Sequence, residues 1–306
     1  MTTAFVLSGG GIRGPLHVGA LQSLLEHGIK PDFFVGTSAG SLNSGFLAAM
    51  GADLSSIPAL QAAWRKGTAG VVYPGNVFTI AWRLLTGKDS AFPSDGMRKL
   101  IQDNLPPGVT TFGQLKCPAY LTTADLLSSR LYLFGEEPSA PLIDAMMASS
   151  SIPVYQDPVW YHGLELVDGG VVAETPINVA MDKGADVIYA VNLGRGEESL
   201  APEHGMLNIF FRTLDTMIVQ SVYADLKRAS DDPKVTLHHI HVQDFNDLPY
   251  NDFNHIEEMF VAGKKTADAY LANPQPRALL PFQTRAVGAP KFIGGAREYI
   301  PSWMLR

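Results

Sequence analysis

One cysteine, Cys117, occurs in 306 residues. A single thiol excludes an intramolecular disulfide and, with it, the small secreted folds that disulfides hold together. Positive charge is in deficit, 23 Lys and Arg against 30 Asp and Glu for a formal net charge of -7. That balance gives no electrostatic basis for nucleic-acid binding. No apolar run is long enough to span a bilayer, and the opening MTTAFVLSGGG carries no basic n-region. The expectation is a cytoplasmic protein, with peripheral membrane contact left open. The chain has no H-x-x-x-H pair, no EF-hand loop and no cysteine cluster, so neither metal nor cofactor is expected. With 46% hydrophobic and 17% charged residues it has a globular rather than a disordered balance. There is no internal repeat and no charge run that reads as a linker. Residues 1–306 are therefore expected to form a single domain.

What the chain does have is glycine and serine placed between apolar runs. Ala4 to Leu7 reads as a strand that stops at Ser8 and enters Gly9-Gly10-Gly11-Ile12-Arg13-Gly14. A helical pattern follows, with Pro15 suited to its first turn and Gly28 to its end. A second strand, Phe33 to Val35, runs into Gly36-Thr37-Ser38-Ala39-Gly40, and a helix-forming run from Leu42 to Met50 comes next. The alternation argues for a parallel sheet covered by helices. G-T-S-A-G between strand and helix is the outline of a nucleophile elbow, in which a tight turn leaves the serine exposed.

Residues 52–115 are less regular. Leu54 to Lys66 reads as a helix broken at Pro58, Val71 to Ser94 mixes aromatics with turn formers, and Gly96 to Asn104 is a short helix. Pro118 to Ala124 and Leu131 to Phe134 read as strands paired around Ser128 and Ser129. Pro141 to Ser150 is helical and ends at Pro153. An extended run, Val159 to Val167, turns at His162 and Gly163 and leads into Asp168-Gly169-Gly170. The pattern then gives a helix from Pro176 to Lys183, a buried strand from Val187 to Leu193 and a long helix from Leu207 to Ala229. A strand from Val235 to Val242, a helix from Phe253 to Leu271 and a proline- and glycine-rich tail from Asn273 complete it.

Gly9 to Gly14 matches G-x-G-x-x-G, which suggests a dinucleotide site. That site needs an acid at the end of the second strand, and the nearest, Asp32, precedes the strand instead. The same glycine physics serves another anion. N–H groups of Gly10 and Gly11 at a helix start can bind the oxyanion formed when Ser38 attacks an ester, one such donor being worth about 3 kcal/mol. Arg13 either orients this loop or makes a structural ion pair. Ser38 needs a base, and none of the eight histidines (17, 27, 162, 204, 238, 239, 241, 255) lies in a context that marks it as catalytic. Asp168, ending an extended run on a glycine turn, can face the same sheet edge as Ser38. An Asp-Gly-Gly β-turn without chemistry is the plain alternative.

Taken together, G-G-G-I-R-G, G-T-S-A-G and the distant D-G-G resemble the patatin-like phospholipase family, as does Ala148-Ser149-Ser150-Ser151-Ile152-Pro153 ahead of the D-G-G. The resemblance covers about residues 4–195; the C-terminal helices and tail, 196–306, carry no motif. It implies a three-layer α/β/α sandwich with a mainly parallel central sheet. It also implies a Ser–Asp dyad that hydrolyses acyl esters of phospholipids, lysophospholipids or neutral glycerolipids through an acyl-serine, without a metal. Carried over, Ser38 is the nucleophile on an elbow of Gly36, Thr37, Ala39 and Gly40. Asp168 is the base on a turn with Gly169 and Gly170. The loop Gly9, Gly10, Gly11, Ile12, Arg13 and Gly14 supplies the oxyanion hole. The sequence departs from the family where many members carry N-x-P, having Glu174-Thr175-Pro176. Two other functions stay open: a thioesterase or acyltransferase using the same acyl-serine, and an inactive lipid-binding module. Malonyl-CoA:acyl carrier protein transacylases use G-H-S-x-G and a histidine, which Thr37 and Asp168 argue against. For the acyl chain the candidates are the segment Val71 to Phe92, Met146 with Met147, and the helix Met206 to Tyr223, although core packing gives the same pattern.

Overall fold

The first strand, β1 (Thr3–Leu7), is apolar at every position from Ala4 onward, and those four side chains are fully buried. Alternation along a strand sends Ala4 and Val6 to one face and Phe5 and Leu7 to the other. A strand buried on both faces belongs at the centre of a covered parallel sheet, and β1 lies there. The computed structural model describes residues 1–194 and 204–276. The further strands are β2 (Phe33–Gly36), β3 (Ala119–Asp125), β4 (Arg130–Phe134), β5 (Val159–Tyr161), β6 (Leu164–Asp168), β7 (Val187–Asn192) and β8 (Thr236–His241). Their order is β5-β6-β3-β2-β1-β7-β8, with β4 paired to β3. From β3 through β8 the neighbours are parallel; β4 and β6 run antiparallel to β3, and β5 antiparallel to β6.

The helices are α1 (Gly14–Glu26), α2 (Ala39–Met50), α3 (Ile57–Lys66), α4 (Ala69–Val72), α5 (Val77–Leu85), α6 (Asp95–Asn104), α7 (Leu142–Ser149), α8 (Gly170–Ala173), α9 (Ile177–Asp182), α10 (Met206–Asp231) and α11 (Ile256–Ala272). Phe5, Leu7 and Phe34 pack into one core with α1, α2, α7 and α11. Ala4, Val6, Phe33 and Val35 pack into a second core with α9 and α10. The two cores on opposite faces of the sheet make the three-layer α/β/α sandwich expected from the sequence. Of the motif-free C-terminal part, the described residues 204–276 are integral to it. A Cβ placed on Gly263 of α11 would fall 1.9 Å from the Leu16 carbonyl oxygen of α1, so these helices meet backbone to backbone.

Two local expectations are corrected. Pro58 does not break a helix. A 3-10 turn, Leu54–Ser56, leads directly into α3 and places Pro58 in its first turn, where proline lacks no needed donor. The stretch from Val71 to Ser94 contains a capped helix, α5, opened by a capping box between Asn76 and Thr79. The tail beyond residue 276 lies outside the described residues.

The register explains how distant motifs meet. Leu7 pairs with Gly36, so β1 and β2 end together and release the glycine loop and the serine turn side by side. Gly36 also pairs with Leu121 of β3, which continues further, and Thr123 pairs with Asp168. Asp168 thus reaches the edge expected of it on a strand travelling in the opposite direction.

Candidate active site

Ser38 has φ 53° and ψ -122°, a left-handed conformation that a side chain adopts at a cost. The surroundings impose it. The Thr37 N–H donates to the Leu7 carbonyl at 3.1 Å. The Thr37 hydroxyl donates to the Ala173 carbonyl at 2.7 Å and meets the Thr122 hydroxyl at 2.6 Å. Ala39 opens α2, whose turn crosses β1 closely: a Cβ on Gly40 would lie 2.2 Å from the Leu7 carbonyl oxygen. The Ser38 N–H donates to the Ser149 hydroxyl at 3.0 Å, and the Ser38 carbonyl accepts the Ser41 hydroxyl at 2.6 Å.

Asp168 ends β6, and Gly169 and Gly170 turn the chain into α8. Its N–H donates to the Ser151 carbonyl at 2.9 Å, and Gly170 N–H donates to Asp168 Oδ1 at 2.7 Å. The Ser38 side chain faces the same carboxyl and favours its charged form. Ser38 and Asp168 are each 5% exposed. Burial pushes the Asp168 carboxyl up to about 6, while Ser38 and the Gly170 N–H restrain the rise. The structure therefore brings together the two residues singled out as nucleophile and base, each held by the serine run at the end of α7. That run was legible only as a family likeness; the particular partners, Ser149 and Ser151, had no signal of their own.

Within the glycine loop the donors divide. Gly9 N–H is taken by the Glu174 carbonyl at 2.9 Å, Arg13 N–H by the Gly10 carbonyl at 3.1 Å, and Gly14 N–H by the Gly11 carbonyl. The N–H groups of Gly10 and Gly11 have no acceptor among the described residues. Gly11 takes φ 56°, which a glycine tolerates, and with Ile12 it lines the same cleft as Ser38. The Arg13 guanidinium reaches across to the Asn246 side chain. Gly14 packs against the Trp64 ring.

That cleft, about 850 Å³ measured out to solvent, is almost wholly apolar. Its walls include Phe46, Leu60, Trp64, Met97, Ile101 and Met146. Trp64 is fixed by a 2.7 Å hydrogen bond from its indole N–H to Asn43 Oδ1. Of the expected wall elements, Val72 and Tyr73 from the aromatic segment and Met146 line the cleft, while Met147 is in the core. No described residue of α10 lines it; Ile209, Leu214 and Met217 are exposed and Val222 belongs to the opposite core. The side chains of Leu207, Phe210 and Phe211 lie outside the described residues.

The histidines are engaged elsewhere. His17 is fully buried against the Val191 carbonyl and Asn43, and burial lowers it to about 3. His241 contacts the Gly194 carbonyl at 2.9 Å, and His238 stacks on Tyr189. Among the described residues no group of three or more His, Cys, Asp or Glu is placed to hold a metal ion.

An α/β sandwich with a strained serine on a strand-to-helix turn and a buried carboxyl beside it defines the structural class. The chain belongs to the patatin-like phospholipase family, whose model matches residues 5–181. Patatin-like phospholipase domain-containing protein 6 of Homo sapiens is 30% identical over 206 residues, covering 67% of this chain and 14% of that protein. Lysophospholipase NTE1 of Mycosarcoma maydis is 28% identical over 213 residues, covering 67% of this chain and 10% of the other. The chain thus spans a small part of the length of these relatives. The structure of human GIVD cytosolic phospholipase A2 overlaps it with 12% identity and a TM-score of 0.48, covering 89% of this chain and 58% of that one.

Proposed function

We propose that this protein is a serine acyl-ester hydrolase acting on lipids of the phospholipase A or lysophospholipase type. The observation that carries the reading is the Ser38 side chain set against the buried Asp168 carboxyl, beside an apolar cleft. A carboxyl raised to about 6 is mostly ionised at neutral pH and is a stronger base than an ordinary aspartate. In the first step Asp168 takes the Ser38 proton as Oγ attacks the acyl carbonyl. The Gly10 and Gly11 N–H groups meet the oxyanion, and Asp168 returns the proton to the departing alcohol. In the second step Asp168 takes a proton from water, which attacks the acyl-serine, and Ser38 regains its hydrogen as the fatty acid leaves. The cleft walls receive the acyl chain.

The lipid surface meets the outward face of α5. Phe78, Trp82, Leu84 and Leu85 are exposed there, at 85%, 68%, 78% and 83%. The single charged residue of the helix, Arg83, turns inward to Ser90 and Asp157. Tyr73, which lines the cleft, precedes α5 by a short turn. No described helix is long and apolar enough to cross a membrane, which fits contact from one side.

A fluorophosphonate probe tests the reading. Wild type labels at Ser38 and Ser38→Ala does not; labelling that survives in Ser38→Ala overturns the assignment. Mass spectrometry of products from a mixed lipid panel identifies the ester class.

A further inference from the structure

Glu174 follows α8 directly, and its main-chain carbonyl takes the Gly9 N–H at 2.9 Å. Its side chain folds back between two glycines. Glu174 Oε2 lies 2.4 Å from where a Cβ on Gly9 would stand and 2.5 Å from where one on Gly170 would stand. The carboxyl therefore fills the volume that both glycines leave open. Gly9 precedes Gly10 and Gly11, the proposed oxyanion donors. Gly170 supplies the N–H that holds Asp168 Oδ1. One side chain thus abuts the loop that receives negative charge and the turn that holds the base.

We propose that Glu174 is a positioning residue: its neutral carboxyl spaces the glycine loop from the Asp168 turn, and its ionisation disables the site. This rests on the Ser38–Asp168 reading above. The charged groups around it are Asp168 at the end of β6, Asp215 on α10 and Arg13 at the end of the glycine loop. Burial above all, then the Asp168 charge, push Glu174 up to about 8, with Arg13 opposing and Asp215 adding to the rise. At neutral pH the site accordingly holds one carboxylate, on Asp168, and one neutral acid. Above that range a second negative charge appears beside Asp168 and behind the loop where the oxyanion forms. Repulsion there opposes the charge development that the loop is placed to accept.

The test compares wild type, Glu174→Gln and Glu174→Ala on a soluble short-chain ester, p-nitrophenyl butyrate, across pH. Wild-type kcat/KM falls on the alkaline side, by about tenfold at a pH about one unit above the Glu174 value. Glu174→Gln, which keeps shape without titrating, retains turnover at neutral pH and loses the alkaline fall. Glu174→Ala, which empties the space between the glycines, lowers kcat at every pH with KM little changed. Melting temperatures give a readout independent of turnover. The folded value of Glu174 is raised, so its contribution to stability is full at acid pH. It is lost as pH climbs from the ordinary glutamate range through about 8. The wild type therefore melts progressively lower relative to Glu174→Gln across that window. An alkaline fall that persists in Glu174→Gln, or a melting difference flat with pH, overturns the proposal. A wild type inert to both ester and fluorophosphonate overturns the hydrolase reading, and the positioning role with it, while the melting series still reports the titration.

Discussion

The Ser149 hydroxyl accepts the main-chain N–H of Ser38 at 3.0 Å, tying the end of α7 to the most strained residue of the serine turn. Ser149 is fully buried. Ser149→Ala leaves that N–H unpaired at a cost of about 1–3 kcal/mol. The expected outcome is a lower melting temperature together with a lower kcat on soluble esters. An unchanged melt would show that Ser38 keeps its conformation without this bond.

Asp168 makes the site less stable than it need be. Its folded value is raised to about 6, so its contribution to stability is full below the ordinary aspartate range and is lost as pH rises through about 6. Asp168→Asn removes that loss. Denaturant titration should find the variant more stable than wild type by about 3 kcal/mol at mildly alkaline pH and equal to it in acid. Wild-type kcat/KM rises with pH through about 6 as the base ionises. An acid limb absent from wild type would remove Asp168 as the base.

Ala63 lines the cleft from α3, away from Ser38 in sequence and near Trp64. Ala63→Phe fills space that a long acyl chain needs and leaves the elbow untouched. Across a series of p-nitrophenyl esters, kcat/KM for long chains should fall by about tenfold or more, while butyrate is hydrolysed as before. A uniform fall across all chain lengths would place the acyl chain elsewhere.

The outward face of α5 carries no charge. Phe78→Ser, Trp82→Ser and Leu85→Ser in one chain remove three side chains worth about 2 kcal/mol each on entering lipid. Flotation with neutral vesicles should drop by about 100-fold or more, with soluble-ester turnover retained. Equal flotation of the two proteins would exclude this helix as the contact, and a wild type that dimerises through the face would assign it to a second copy.

The glycine loop, the serine turn and the Asp-Gly-Gly were legible because each is a local pattern with local geometry. The parallel pairing of β1 and β2 followed from the alternation of strands and helices. The direction of β6 was not legible. Val159 to Asp168 reads as extended either way, and only pairing to β3 makes it antiparallel. The roles of Ser149 and Ser151 were hidden for the same reason, since both depend on where α7 docks. α5 escaped notice because its apolar arc faces outward, against the usual rule for a surface helix. In α10 the periodicity gave the helix correctly, but not the layer it covers. Glu174 was visible only as a departure from a pattern, and its placement between two glycines is a tertiary fact.

Because one edge of β3 sets Leu121 against Gly36 and, two residues on, Thr123 against Asp168, Ser38 and Asp168 are brought together by strands that lie outside residues 54–105. Those residues supply Leu60, Trp64, Val72, Met97 and Ile101 to the cleft. Ser38 and Asp168 and this part of the cleft wall thus come from different stretches of chain. That stretch is stitched to the sandwich at its cleft side, by Trp64 on Asn43 and Gly14 and by Arg98 on Asp144, so a change of cleft wall there is felt at the glycine loop.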